Sequence, residues 1–236
     1  MILAIAWTTA LECLRRPLPY IAVATVFTLS LASCLLNLFT FGAGALEASN
    51  LTMSGVLLAG LAATALVGTA LVRRDLERGT LALLLSQPVG LGSYVAGRFL
   101  GLAAATLIVG ALAAAGVAGS IFLAGAPAGL FSSPLLMGCT RVMLALIVLA
   151  AAALAVSAAT SRIFAPLVLL VLFLAGDVAP SSMVSRVLPN FGLFGLDAGS
   201  APALAWLSLY AMLYCVVFLM ITYLQLALRT PTRTES

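Results

Sequence analysis

The sequence contains neither histidine nor lysine; its eleven basic residues are all arginine. The missing lysine excludes the phosphate-binding loop G-x-x-x-x-G-K-[ST], so the chain does not hydrolyse ATP by that route. The missing histidine removes the commonest general base and metal ligand. An enzyme is therefore disfavoured, and neither catalytic nor metal-binding residues are expected. Charge of either sign is scarce, at 8% of residues against about 25% in a typical soluble domain. The arginines stand singly or in pairs at the ends of apolar runs rather than in a patch, so nucleic acid is not an expected partner. Four cysteines, Cys13, Cys34, Cys139 and Cys215, share no metal-type spacing. Three lie in or beside apolar runs, where cysteine behaves as a small hydrophobe.

What the chain has in abundance is apolar sequence: 64% of its 236 residues, with a mean hydropathy of +1.23. A soluble domain is about 45–50% apolar, and no aqueous core needs this much, so lipid must be the solvent. The expected fold is an all-α membrane protein, a single transmembrane domain over residues 1–236. Six runs are expected as spans, at 18–41, 52–72, 99–124, 135–160, 163–178 and 203–228, the fifth of them short and carrying Pro166.

Residues 1–16 do not read as a signal peptide, because the charges follow the apolar part. Leu3, Ala6, Trp7, Ala10, Leu11 and Leu14 recur with helical spacing, and Thr8, Thr9, Glu12, Arg15 and Arg16 take the other side. The pattern predicts an amphipathic helix lying in the interface and ended by Pro17.

Arginine placement sets the orientation. With the N-terminus inside, Arg15, Arg16, Arg73, Arg74, Arg78, Arg98, Arg162, Arg229 and Arg233 fall on the cytoplasmic side and only Arg141 and Arg186 outside. Both termini are thus expected in the cytoplasm. Gly60, Thr64 and Gly68, the pair Gly97 and Gly101, and the run Ala150 to Ala153 predict close helix packing. Ser30, Ser33 and Asn37 form a polar stripe on the first span, and Asp177 ends the fifth. These four are the candidates for a substrate path, with interhelical hydrogen bonding the favoured reading of the stripe and an interfacial place beside water equally open to Asp177.

The most polar stretch, residues 73–98, reads RRDLERGTLALLLSQPVGLGSYVAGR. Thr80 can cap a helix that Gly79 lets the chain turn into, and Pro88 stops it. The two-turn helix so formed is apolar on most of its surface, yet the flanking charge keeps it out of the bilayer. It needs a partner to bury it, or the protein's own helices.

Glu77, Gly79, Thr80, Leu84, Leu85, Ser86 and Pro88, with Tyr94, Gly97 and Arg98 downstream, resemble the signature of ABC transporter permeases of the second exporter type, the type V exporter fold. The resemblance implies that residues 73–98 carry a coupling helix seated in a groove of a separate ATPase subunit. With Asp75, Arg78 and Leu81 these motif residues up to Pro88 make the ATPase-coupling set. It further implies an elbow helix at 1–16 and short re-entrant helices in the outer loop 177–202. There the stretch from Leu188 to Gly195 is similar to a family motif. The implied partners are two ATPase subunits, which would hold the ATP and magnesium, and a second copy of this chain or a related permease. An accessory periplasmic or membrane subunit would be compatible, and no cofactor is expected on this chain itself. The setting would be the cytoplasmic (inner) membrane of a bacterium or archaeon. One departure stands out: where members carry a basic residue after the Ser-x-Pro step, this chain has Gly90-Leu91-Gly92, implying either a less electrostatic contact or a different partner surface. A secondary transporter or channel is the alternative, although no internal repeat and no mid-membrane carboxylate favours it. A scaffold for assembly of an exported protein is another.

Overall fold

A computed structural model describes residues 2–17, 20–21, 23–28, 31–32, 45–77, 90–123, 133–161, 163–178, 189–194 and 201–229. Its helices are α1 (Ile2–Leu14), α2 (Ala45–Glu77), α3 (Leu91–Leu123), α4 (Ser133–Ala159), α5 (Phe164–Val178) and α6 (Ala201–Arg229), with a 3-10 turn at Phe191–Phe194 before α6. No strand occurs among the described residues. Within the first expected span, residues 20–21, 23–28 and 31–32 are helical.

Four stretches among the described residues are long and apolar enough to cross a membrane: Ser54–Asp75, Leu91–Leu112, Met137–Ala159 and Leu204–Arg229. The outward surface agrees with a lipid solvent. Leu167, Val171, Trp206, Leu209, Met212, Leu213 and Met220 are all more than half exposed along α5 and α6. In water such a surface would be a large aggregation-prone patch; against hydrocarbon it costs nothing.

The core is α4. From Leu149 to Leu154 every residue is 0% exposed, so this helix is covered on all sides, by α2, α3, α5 and α6. Its alanine run makes that crowding feasible, since small side chains let backbones approach. A Cβ built on Gly68 of α2 would lie 3.0 Å from both Ala153 of α4 and Leu102 of α3. Gly60 likewise meets Leu146, and Gly110 of α3 meets Met143. These contacts fix directions: α2 runs parallel to α4, and α3 runs against both. The Arg229 guanidinium donates to the Ala159 carbonyl at 3.2 Å, while Tyr210 and Arg141 line one groove, so α6 also runs with α4. Buried hydroxyls are satisfied locally: Thr64 donates to Gly60 O at 2.8 Å, Ser157 to Leu154 O at 3.0 Å and Thr222 to Phe218 O at 2.8 Å. Returning a hydroxyl to its own helix avoids an orphaned polar group where no water is at hand.

Three helix bounds differ from the sequence expectation. The stretch holding Glu47, Ser49 and Asn50, expected as a loop, forms the first turns of α2. The polar stretch 73–98 is helical at both ends, because α2 continues to Glu77 and α3 begins at Leu91. At 33 residues each, α2 and α3 are about 50 Å long, well beyond the ~30 Å hydrocarbon thickness. Loss of hydropathy marks where a helix leaves lipid, not where its hydrogen bonds end. By contrast α5, with 15 residues, is about 22 Å long, short of that thickness.

Candidate functional site

At one end of the bundle three helices bring charge together. The last turns of α2 supply Arg74 and Asp75, and the first turns of α3 supply Tyr94 and Arg98 four residues apart. α1 supplies Thr9 and Glu12 from its polar side. The approach of α1 to α3 depends on Gly97 and Gly101. A Cβ on Gly97 would lie 2.8 Å from Ile5, and one on Gly101 2.5 Å from both Ala6 O and Thr9 Cβ. The orientation of α1 follows the lipid rule: Thr9 and Cys13 are buried, while Leu3 and Trp7 are 81% and 68% exposed. Thr9, Ala10, Glu12 and Cys13 thus face protein, while Leu3, Trp7, Thr8 and Arg15 face outward.

Arg98 is the centre of this cluster. One of its terminal nitrogens binds the Asp75 carboxylate; the other reaches Thr9 Oγ1 at 3.1 Å and Glu12 Oε2 at 3.4 Å. The same Asp75 oxygen accepts the Tyr94 hydroxyl at 2.5 Å. The Arg98 guanidinium carbon also stands 5.7 Å from the centre of the Tyr94 ring, within cation–π range. Glu12 accepts in addition from Arg74 at 3.0 Å and Arg16 at 3.3 Å. The Arg98 and Asp75 side chains are only 12% and 13% exposed, so their charges are largely withdrawn from water and depend on each other. Beside them, burial pushes the Cys13 thiol up to about 11, outweighing the opposing pull of Arg16.

No nucleophile–base pair is set up in this cluster, and no group of three or more potential metal ligands occurs among the described residues. What the arrangement does chemically is bind three helices at their base through one shared guanidinium.

The sequence-derived site residues fall out as follows. Asp75 lies inside the cluster, turned away from solvent. Glu77 ends α2 and pairs with Arg73 at 3.0 Å with a 46% exposed side chain. Arg78, Gly79, Thr80, Leu81, Leu84, Leu85, Ser86 and Pro88 lie outside the described residues, as do Ser30, Ser33 and Asn37. Asp177 belongs to the last turn of α5. Sequence reasoning did not foresee the joining of Glu12, Asp75 and Arg98, since the three lie in separate helices. The available signal was the placement of Thr9 and Glu12 on one side of α1 opposite an arginine-bearing helix start.

At the opposite end, residues 189–194 fold back between α5 and α6. The Asn190 side chain accepts from Gly192 N at 3.0 Å, and Asn190 N donates to the Tyr210 hydroxyl at 2.8 Å. Phe173, Phe191, Phe194, Tyr210, Tyr214 and Phe218 then follow one another with ring centres 4.8–6.3 Å apart. In comparison with known proteins, the chain matches no protein-family model and no curated protein. The described residues are helical, and their long apolar helices are compatible with a membrane-embedded protein.

Proposed function

We propose that the chain is the permease subunit of an ABC transporter of the second exporter type. In this reading a separate ATPase hydrolyses ATP, and this chain moves an export substrate across the cytoplasmic membrane of a bacterium or archaeon. The observation that carries the reading is the stretch from Glu77 to Arg98, whose residues resemble the family's coupling segment. The charge cluster supports it mechanically. In sequence, residues 78–89 join the end of α2 to the start of α3, and those two helix ends are pinned to each other and to α1 through Asp75, Arg98 and Glu12. A push delivered to the segment would then move three helices together. Asp75 would act as a positioning residue, and Glu77 with residues 78–88 as the ATPase-facing set.

The full proposal has six spans, α1 as the elbow helix, and the turn at 191–194 as part of a re-entrant outer segment. Arg16, Arg73, Arg74, Arg98 and Arg229 gather at the cluster end, and the preference of arginine for the cytoplasmic side supports that end facing inward. Two permeases and two ATPases would form the transporter.

Purification of the tagged chain from its native host should bring down a nucleotide-hydrolysing subunit. Glu77→Ala and Gly79→Pro should leave that assembly and its ATP hydrolysis in place while abolishing transport. A chain that purifies without any ATPase would overturn the reading; normal coupling in both variants would remove the coupling-helix assignment.

A further inference from the structure

α1 runs beside α3 in the same direction. Ile5 stands against Gly97 and Thr9 against Gly101, and Cys13, four residues on, shares a cavity wall with Leu102 and Ala105. Arg15 lies six residues beyond Thr9, and its amide still donates to Leu11 O at 3.0 Å. It therefore stands about 9 Å further along the bundle than Gly101. That is level with Leu107 and Ile108 of α3, which are 39% and 44% exposed. The level falls inside Leu91–Leu112, a stretch long and apolar enough to cross a membrane. Arg15 is itself exposed, and it shares the outward side of α1 with Leu3 and Trp7.

A guanidinium facing outward at an apolar level is costly without an anion. The described carboxylates of this end are Glu12, Asp75 and Glu77, and none of them pairs with Arg15. Glu12 is one turn away, but Arg16 and Arg74 take one of its oxygens and Arg98 the other. Asp75 holds Arg98 and Tyr94, and Glu77 holds Arg73. Across α1, α2 and α3, Arg15, Arg16, Arg73, Arg74 and Arg98 thus face three carboxylates, and the balance is positive. Glu47 and Asp177 belong to the first turns of α2 and the last turn of α5, at the other end of the bundle. A second copy in the same membrane would carry its own at that same far end. A soluble anion would have to shed its water to reach a level flanked by leucine and isoleucine. A zwitterionic lipid brings a phosphate already balanced by its own cation.

We propose that Arg15 seats one anionic phospholipid of the leaflet at the charge-cluster end, its phosphate paired with the guanidinium and its acyl chains passing on toward the middle of the bilayer. A guanidinium suits the role because its planar fork meets two phosphate oxygens at once. Its flexible stem lets the charge reach back toward the headgroups from an apolar level. The site is independent of the transport reading, since it asks only that α1 and α3 lie in a bilayer.

The full chain would be purified in micelles doped with equal amounts of phosphatidylglycerol and phosphatidylcholine, and the lipids it retains counted by native mass spectrometry. One phosphatidylglycerol should be retained about fivefold over phosphatidylcholine. Arg15→Gln should remove that preference, and Arg15→Lys should keep most of it. Arg229→Gln is an equal loss of charge at the same end. It should leave the preference unchanged, because that guanidinium is turned to the Ala159 carbonyl. Excess inorganic phosphate should not displace the lipid. If Arg15→Gln does not fold, Arg15→Leu, which suits an apolar level, is the neutral variant that must lose the preference. Equal retention of the two lipids overturns the proposal. So does a preference that persists in the neutral variant, falls as much in Arg229→Gln, or yields to inorganic phosphate.

Discussion

Arg98 concentrates the consequences of the charge cluster in one residue. Deleting it would leave Asp75 buried without its cation, and such uncompensated charges cost about 3–5 kcal/mol. Arg98→Ala and Asp75→Ala should each lower stability by that order, read from reversible unfolding in mixed detergent micelles. The double substitution Asp75→Asn with Arg98→Gln should cost clearly less than the sum of its parts, because neither charge is then stranded. The Arg73–Glu77 pair is different. Its side chains are 26% and 46% exposed, and exposed pairs contribute at most about 1 kcal/mol. Glu77→Ala should therefore leave the unfolding midpoint nearly unchanged, so a loss of transport in that variant would report on coupling and not on folding. Cys13 gives a third expectation. It is 1% exposed, and its thiol is pushed up from 9.0 to about 11. A maleimide should fail to label it in the folded protein at neutral pH and label it fully after denaturation. Because the folded pKa lies above the unfolded one, this thiol's contribution to stability is complete below pH 9 and declines as pH rises from 9 toward 11.

At the scale of elements, helix packing turns on what each small residue meets. Gly101 faces the backbone carbonyl of Ala6, whereas Gly60 faces the flexible end of Leu146. A side chain tip can rotate away and a backbone carbonyl cannot. Gly101→Ala should therefore cost more than Gly60→Ala, by about 1–3 kcal/mol for such overpacking, in the same unfolding assay. It should also loosen α1 from α3, seen as faster proteolysis near Arg15 and Arg16. Gly176 closes α5 in a comparable way, with a Cβ there 2.3 Å from Pro189 O; this lets the turn at 191–194 tuck under a helix too short to cross by itself. The spacing of Gly60, Thr64 and Gly68 already pointed to a close helix contact. Spacing alone did not identify its partner, because small residues carry no mark of what they will face.

For the whole molecule, the parallel run of α2, α4 and α6 against α3 places the described arginines, with Arg141 as the exception, at a single end. If that end is cytoplasmic, a fluorescent protein fused after Ser236 should be bright and an alkaline phosphatase fused there inactive; the reverse pair of results would invert the orientation. Apolar length and charge scarcity, which act locally along the chain, pointed to helices fit to cross a membrane and to the approximate bounds of α4, α5 and α6, whereas α3 starts well before its apolar run. Most residues of the stretch that resembles a coupling segment lie outside the described structure. Three things were decided only by tertiary structure: that α4 is the buried axis, that α1 turns Thr9 and Glu12 toward α2 and α3, and that Asp75 binds Arg98 and Tyr94. Each depends on which helix lies beside which. In lipid, apolar surfaces do not select one another, so partner choice passes to backbone proximity and to a few buried charges, and neither is written in any single stretch of sequence.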